Sequence, residues 1–312
     1  MAETFFGSCP VHRITRADEA YPARFRELTG MPAAIYVRGR LPGSGPTAAI
    51  VGSRNCTAYG RWQAEVFARA LAAGGVAVIS GMAAGIDAAA QRAALEAGGE
   101  SYAVLGCGAD VCYPASSRSL YETLLRRGGV ISEYENGTQP LPYHFPARNR
   151  LISGLADAVL VIEAAARSGS LITADMALEQ GRSVFALPGR IGDIRSEGCL
   201  KLIAEGAYVA LSPESVLREL KRIHPGGFPP VSRAPKEPAE TILPQTGDEA
   251  ETLPISGAAA RLYRAVTHEP VLLEVLAEAA GLSPAEAAGA AWELKDRSLI
   301  REVYDQQYVR KK

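Results

Sequence analysis

The sequence predicts an α/β fold: an extended Rossmann-like domain on a doubly wound, mostly parallel sheet, plus a small C-terminal winged-helix domain. Three observations lead there. From Ala48 to Leu211, short apolar, β-branched runs alternate with amphipathic stretches that end in glycine, as in a parallel sheet covered on both faces. Five Gly- or Ser-rich turns follow such runs, in the manner of strand-to-helix loops. Beyond a Pro- and Gly-rich stretch, three more helical periods precede two short strand-like runs, the element order of a winged helix.

In chain order, residues 1–45 contain Tyr21-Pro22 and Ile35-Tyr36-Val37-Arg38-Gly39 and are expected to form a lead-in that packs on the core. Residues 46–223 make the Rossmann-like domain. Its strands are expected at Ala48 to Val51, Val76 to Ser80, Tyr102 to Leu105, Val130 to Ser132, Ala158 to Ile162, Val184 to Leu187 and Tyr208 to Leu211. Helical patterns fall between them, at Tyr59 to Ala73, Ile86 to Ala97, Ser117 to Arg127, Arg148 to Leu155, Leu171 to Gln180 and Glu197 to Glu205. Residues 224–254 are rich in Pro, Gly, Thr and Glu with no apolar period, which predicts a flexible linker whose removal leaves both flanks folded.

Residues 255–312 carry the winged-helix pattern. Leu262, Tyr263 and Val266 give one apolar face, and Leu272, Leu273, Val275 and Leu276 the next. Gly281 stops that helix, and Ser283-Pro284 caps a third that runs through Leu294. Leu299 to Tyr304 and Tyr308 to Arg310 then read as a wing hairpin across Asp305-Gln306-Gln307. From Ile255 onward eight Lys or Arg face eight Asp or Glu, and residues 285–291 offer no Arg, Asn or Gln. A base-reading helix needs such side chains, so a protein-contact or positioning role ranks above direct DNA reading for this module.

The 312 residues are 47% hydrophobic, enough for a substantial core. No run approaches the roughly 18 uninterrupted apolar residues of a membrane helix, and no basic segment precedes an apolar run at the N-terminus; a soluble, cytoplasmic protein is expected. Cys9, Cys56, Cys107, Cys112 and Cys199 are odd in number and contain no C-x-x-C pair, which favours reduced thiols over a disulfide frame or a zinc site. Net charge is −1, so any grip on a polyanion has to come from a local cluster.

Loops leaving the carboxyl ends of parallel strands gather on one edge, where ligands bind at the switch in strand order. Gly52-Ser53-Arg54 supplies a tight turn, a hydroxyl and a guanidinium able to clamp phosphate; the simpler account is an ordinary turn with a solvated arginine. Gly81 to Asp87 resembles a dinucleotide fingerprint only loosely, because it lacks the third glycine. Asp87, at a helix start, reads as a capping carboxylate before a catalytic one. Gly106-Cys107-Gly108 is a third such turn. Arg148-Asn149-Arg150 opens a helix after a Pro-marked loop; one arginine is expected to pair internally, with Glu163 or Glu133, and the other to face ligand. Arg167-Ser168-Gly169-Ser170 leads into another helix and forms an anion nest of small side chains and N–H groups.

The four histidines (His12, His144, His224, His268) are scattered, and no Ser-His-Asp, Cys-His or G-x-x-x-x-G-K-[ST] pattern occurs. Several phosphate-ready loops without a base or metal ligand point to binding a chain of phosphates, with no catalysis, cofactor or metal.

These residues resemble the DprA/Smf family, the DNA-processing proteins of bacterial transformation. Its motifs appear in order as Ala49-Ile50-Val51-Gly52-Ser53-Arg54, Ser80 to Asp87, Tyr113-Pro114, Ile131-Ser132-Glu133-Tyr134, Phe145 to Leu155, Ser168 to Ala174 and Leu187-Pro188-Gly189. The resemblance implies an extended Rossmann domain that binds single-stranded DNA in a positive pocket, dimerises through that domain and loads RecA recombinase. It places the contacts at Gly52, Ser53 and Arg54, at Gly81, Ala83 and Gly85 of the second loop, at Arg148, Asn149 and Arg150, and at Ser168, Gly169 and Ser170. Where the family usually has histidine after the Gly-Ile-Asp helix start, this chain has Gln91, and the N-terminal helical domain of longer members is expected to be absent or reduced to the first forty residues. Bases are expected against Tyr59, Tyr113 or Tyr134. The competing enzyme reading is a nucleotide phosphoribohydrolase of the lysine-decarboxylase-like group. It requires a P-G-G-x-G-T-x-x-E loop, and residues 167–174 lack both the glycine pair and the glutamate. A third reading, a transcription regulator acting through the winged helix, is weakened by that module's neutral charge.

Overall fold

The computed structural model describes residues 9–226, 255, 257–267, 271–304 and 307–310. The chain divides into two compact units, Met1–Ala234 and Pro235–Lys312.

Unit one contains β1 (Val11–Thr15), α1 (Ala23–Arg26), β2 (Ala34–Gly39), β3 (Thr47–Gly52), α2 (Ala58–Ala73), β4 (Ala77–Ser80), α3 (Ile86–Glu96) and β5 (Ser101–Leu105). After a 3-10 turn come α4 (Arg118–Arg127), β6 (Gly128–Ser132), α5 (His144–Leu155), β7 (Ala158–Ile162), α6 (Gly169–Glu179), β8 (Ser183–Ala186), α7 (Glu197–Ala204), β9 (Tyr208–Val209) and α8 (Pro213–Ile223). The nine strands are ordered β1-β2-β6-β5-β4-β3-β7-β8-β9. From β6 to β9 all neighbours are parallel.

The continuous apolar runs are explained by burial on both faces. Ala49 and Val51 of β3 pack into one core with Leu151, Ile152 and Ala174 of α5 and α6. Ala48 and Ile50 face the opposite core, with Phe67 and Leu71 of α2 and Ile86 of α3.

Three expectations change. The lead-in extends the sheet as well as packing on it: β1 pairs antiparallel with β2, and β2 pairs antiparallel with β6 at Tyr36↔Ser132 and Arg38↔Val130. Its Tyr21 and Phe25 are buried in the first core. The helix carrying Arg148 starts a turn earlier, at His144, because Pro146 fits the first turn, where its missing N–H costs nothing. Helix α8 was not expected; Ser212-Pro213 starts it, and Val216 and Leu220 bury its face. His224, which opens the expected linker, is tied to the core by Nε2 lying 3.0 Å from Asp157 Oδ2. The rest of that linker, residues 227–254, lies outside the described residues.

Unit two contains α9 (Gly257–Ala265), β10 (Val271–Leu272), α10 (Leu273–Ala280), α11 (Pro284–Asp296), β11 (Ile300–Tyr304) and β12 (Gln307–Arg310). Three helices and a hairpin follow in the expected order, and β10 adds a third strand, giving the antiparallel sheet β10-β12-β11. Gly281 ends α10 in the left-handed region, and Ser283 with Glu286 forms a capping box on α11. The expected wing turn at Asp305-Gln306 lies outside the described residues. Among the described residues no helix is long and apolar enough to cross a membrane.

Candidate functional site

The strand order turns back at β3, whose neighbours are β4 and β7. At the carboxyl ends of β3 and β7 lies an open cleft of about 600 Å³, where a doubly wound sheet binds its ligands.

Close backbone approach builds its floor. A Cβ on Gly52 would run into the Ile162 carbonyl oxygen, so only glycine lets β3 end against β7. Ser53 N–H donates to Glu163 O at 2.8 Å, and Ile86 N–H donates to Ser53 O at 3.2 Å. Gly85, at φ +83°, would meet the same Ser53 carbonyl with any side chain. Beyond the turn, the Glu163 carboxylate accepts from Thr57 N at 2.8 Å and from the Thr57 hydroxyl. A carboxylate at the first turn of α2 is favoured by the helix dipole, and it fastens the far end of the loop.

With both ends held, Arg54 projects outward. Its guanidinium carbon stands 5.3 Å from the Phe145 ring centroid. Arg167, after β7, and Arg195, whose Nε donates to Asn55 O at 3.2 Å, line the same cleft. All three arginines are exposed, and none forms an ion pair among the described residues. The one acidic side chain in the lining is Asp87, 6% exposed. The phosphoribohydrolase reading therefore meets a single carboxylate in this lining among the described residues, that of Asp87, which accepts from the Gly81 N–H. At the start of α6, Ser168 Oγ accepts from Ser170 N–H, and the helix N-terminus points its dipole at the cleft.

Arg148 and Arg150 do not act alike. Arg148 is buried and donates to Gly81 O at 3.1 Å, to Val104 O, and to Asn149 Oδ1 at 3.2 Å. Burial pulls its guanidinium down to about 10, against the attraction of the Asp87 charge. Burial likewise raises the Asp87 carboxyl, opposed by Arg148 and by the Gly81 N–H it accepts at 3.0 Å. Arg148 thus keeps its charge at neutral pH in the cleft lining, with Nε and Nη1 engaged by the fold and Nη2 without a hydrogen bond among the described residues. Arg150 lies outside the lining: Nη1 and Nη2 meet the two Glu133 oxygens at 2.9 and 2.6 Å, and Nε donates to Gly30 O. The internal pairing expected with Glu133 is thus found at Arg150.

Of the other chosen residues, Gly52, Ser53, Ala83, Asn149, Ser168, Gly169 and Ser170 line the cleft. Gly81 lines a small annex beside it, while Gly85 shapes the loop from beneath. Tyr113 lines the cleft and lies 5.6 Å from Phe145. Tyr59 lies against Trp62, and Tyr134 stacks on His144; neither reaches the lining. Gln91 is fully buried and donates to Tyr102 O at 3.0 Å, so its position bears on packing between α3 and β5. Sequence reasoning passed over Phe145 and Arg195 as contacts. Phe145 sits inside a quoted motif, but nothing local marks Arg195, which reaches a carbonyl 140 residues away.

The DNA recombination-mediator protein A family profile matches residues 12–221. Protein Smf of Escherichia coli is 46% identical over 215 residues, which cover 68% of this chain and 58% of Smf. DNA processing protein DprA of Streptococcus pneumoniae is 44% identical over 205 residues, 65% of this chain and 72% of that protein. Among solved structures, the S. pneumoniae DprA aligns with TM-score 0.63 and 41% identity over 70% of this chain and 76% of its own. DNA processing protein A of Helicobacter pylori, studied for its single-stranded DNA binding mode, aligns with TM-score 0.61 and 28% identity over 69% of this chain and 98% of its own. The chain spans little more than half the length of E. coli Smf. With the cleft loops and the sheet beneath them inside the matched region, the chain belongs to the DNA recombination-mediator protein A family, that of DprA and Smf.

Proposed function

We propose that this protein binds single-stranded DNA in the cleft without regard to sequence, protects it, and loads RecA recombinase on it during natural transformation and recombination. One observation carries the reading: three exposed guanidiniums without carboxylate partners converge on one cleft with a helix N-terminus and two aromatic rings. Guanidiniums and N–H groups neutralise phosphates, and ring faces stack on any base. Only an unpaired strand can bring bases to Tyr113 and Phe145 while its phosphates meet Arg54. The H. pylori relative's single-stranded DNA binding supports the same assignment.

In this reading the protein works in the cytoplasm as a homodimer joined through the Rossmann domain, which sedimentation across a concentration series tests. RecA loading is tested by filament assembly on DNA coated with a single-strand-binding protein, where no acceleration would remove that part. We read residues 255–312 as a winged helix with a protein-contact or positioning role, joined through residues 224–254. The deciding experiment for the cleft is fluorescence anisotropy with mixed-sequence single- and double-stranded oligonucleotides. Single strands should bind tighter, alike across sequences, with affinity falling steeply as salt rises; equal affinity for duplex overturns the reading.

A further inference from the structure

In unit two, a groove of about 690 Å³ runs between α10 and α11 and ends against β11 and β12. Its floor is apolar, made by Leu273, Ala277, Leu282 and Ala287, with Tyr308 at one end. Trp292 stands at its edge, 71% exposed. A single exposed apolar side chain is ordinary, but an indole beside an apolar trough is the anchor type of protein interfaces.

The rim is acidic. Glu274 and Glu278 lie one turn apart on α10, both exposed, and neither forms an ion pair among the described residues. The lysine of the lining, Lys295, donates to Glu302 at 2.6 Å and sits 6.0 Å from the Tyr308 ring. Three carboxylates therefore oppose one amine that is already engaged. Helix α11 occupies the place where a winged helix would present side chains to a major groove, yet along this groove it offers Pro284, Ala287, Ala288 and Trp292, with Lys295 already paired to Glu302. The carboxylates repel phosphate, and the one side chain there able to read a base edge, Lys295, is held by Glu302.

We propose that this groove docks an amphipathic helix of a partner protein, apolar on one face and carrying two basic side chains one turn apart along its edge. The apolar face fills the trough as helix-in-groove complexes do, at i, i+3, i+4 and i+7. The basic pair meets Glu274 and Glu278, which sets orientation and partner choice. Small residues on the α11 side let the incoming helix come close.

The test uses the full chain carrying Trp62→Phe, so that Trp292 is the remaining tryptophan. The probes are two fluorescently labelled synthetic helices of about 16 residues, long enough to hold helical structure on a surface. Both have leucine on one face; one is flanked by lysines, the other by glutamates. The lysine helix should bind about tenfold tighter and shift the Trp292 emission to the blue. The double variant Glu274→Lys/Glu278→Lys should reverse that order, and Trp292→Ala should weaken both helices, with single-stranded DNA affinity unchanged throughout. Circular dichroism confirms that these surface variants remain folded. The proposal fails if neither helix binds, if the lysine preference survives charge reversal, or if duplex DNA competes with the helix for the groove. Because the DNA cleft is measured in the same variants, failure here is distinguishable from failure of the cleft assignment.

Discussion

The guanidinium of Arg54 stands over the Phe145 ring without a carboxylate partner, whereas that of Arg150 is held by both oxygens of Glu133. Arg54→Ala should therefore weaken single-stranded DNA binding by about 1.5–3 kcal/mol, the worth of a charged hydrogen bond. Its log–log salt slope should fall by about 0.7, one phosphate contact on a single strand. Arg150→Ala should leave affinity unchanged and lower stability by about 1 kcal/mol, since the pair is partly exposed; anisotropy and urea unfolding separate the two outcomes. Gly81 supplies a further test. A Cβ there would come within 2.6 Å of both terminal Arg148 nitrogens, one of which is held in place by the Gly81 and Val104 carbonyl oxygens. Gly81→Ala should cost roughly 1–3 kcal/mol, as overpacking does, and should reduce DNA affinity as the cleft floor shifts, whereas a change in urea midpoint alone would limit the residue to a structural role.

Elements differ in how they are fastened. Helix α8 is clamped to β8 by Glu219, whose carboxylate accepts from Ser183 Oγ at 2.7 Å and from Arg222 Nε and Nη2 at 2.9 and 2.8 Å. The Arg222 hydrogen bonds, together with Ser183, hold that carboxyl down to about 2. Because the folded value lies below the ordinary one, the contribution is complete at pH above about 4.5 and vanishes as pH falls to about 2. Wild type should be more stable than Glu219→Gln from neutral pH to about 5, with the gap closing on acidification. A gap constant with pH in thermal melts would contradict the clamp. Strands β3 to β8 were legible because burial on both faces writes a continuous apolar run, as in Ala158–Ile162. The edge strands β1 and β10 were not, because partly exposed strands carry mixed residues, as in Val11–Thr15. Helix α5 was misplaced at its start because Pro146 signals a loop as readily as a first turn.

At the scale of the whole molecule, a chain ending at residue 226 retains every cleft-lining residue and the His224–Asp157 contact. It should fold alone and keep its affinity for single-stranded DNA within about twofold, as expected for sites without shared partners. A loss beyond tenfold, read by anisotropy with the same oligonucleotide, would mean that residues beyond 226 complete the site. The sequence alone determined the layered α/β fold and the loops that line the cleft, because strand periodicity and glycine-bearing turns are local and survive without knowledge of contacts; its motifs carried the resemblance to the family. Tertiary structure alone decided which arginine meets solvent. Arg54, Arg148 and Arg150 are equivalent as letters; what separates them is a set of carbonyl and carboxylate partners 17 to 67 residues away, at Glu133, Val104 and Gly81. A guanidinium held by such acceptors has committed most of its hydrogen bonds to the fold, and one without them keeps its donors for a ligand.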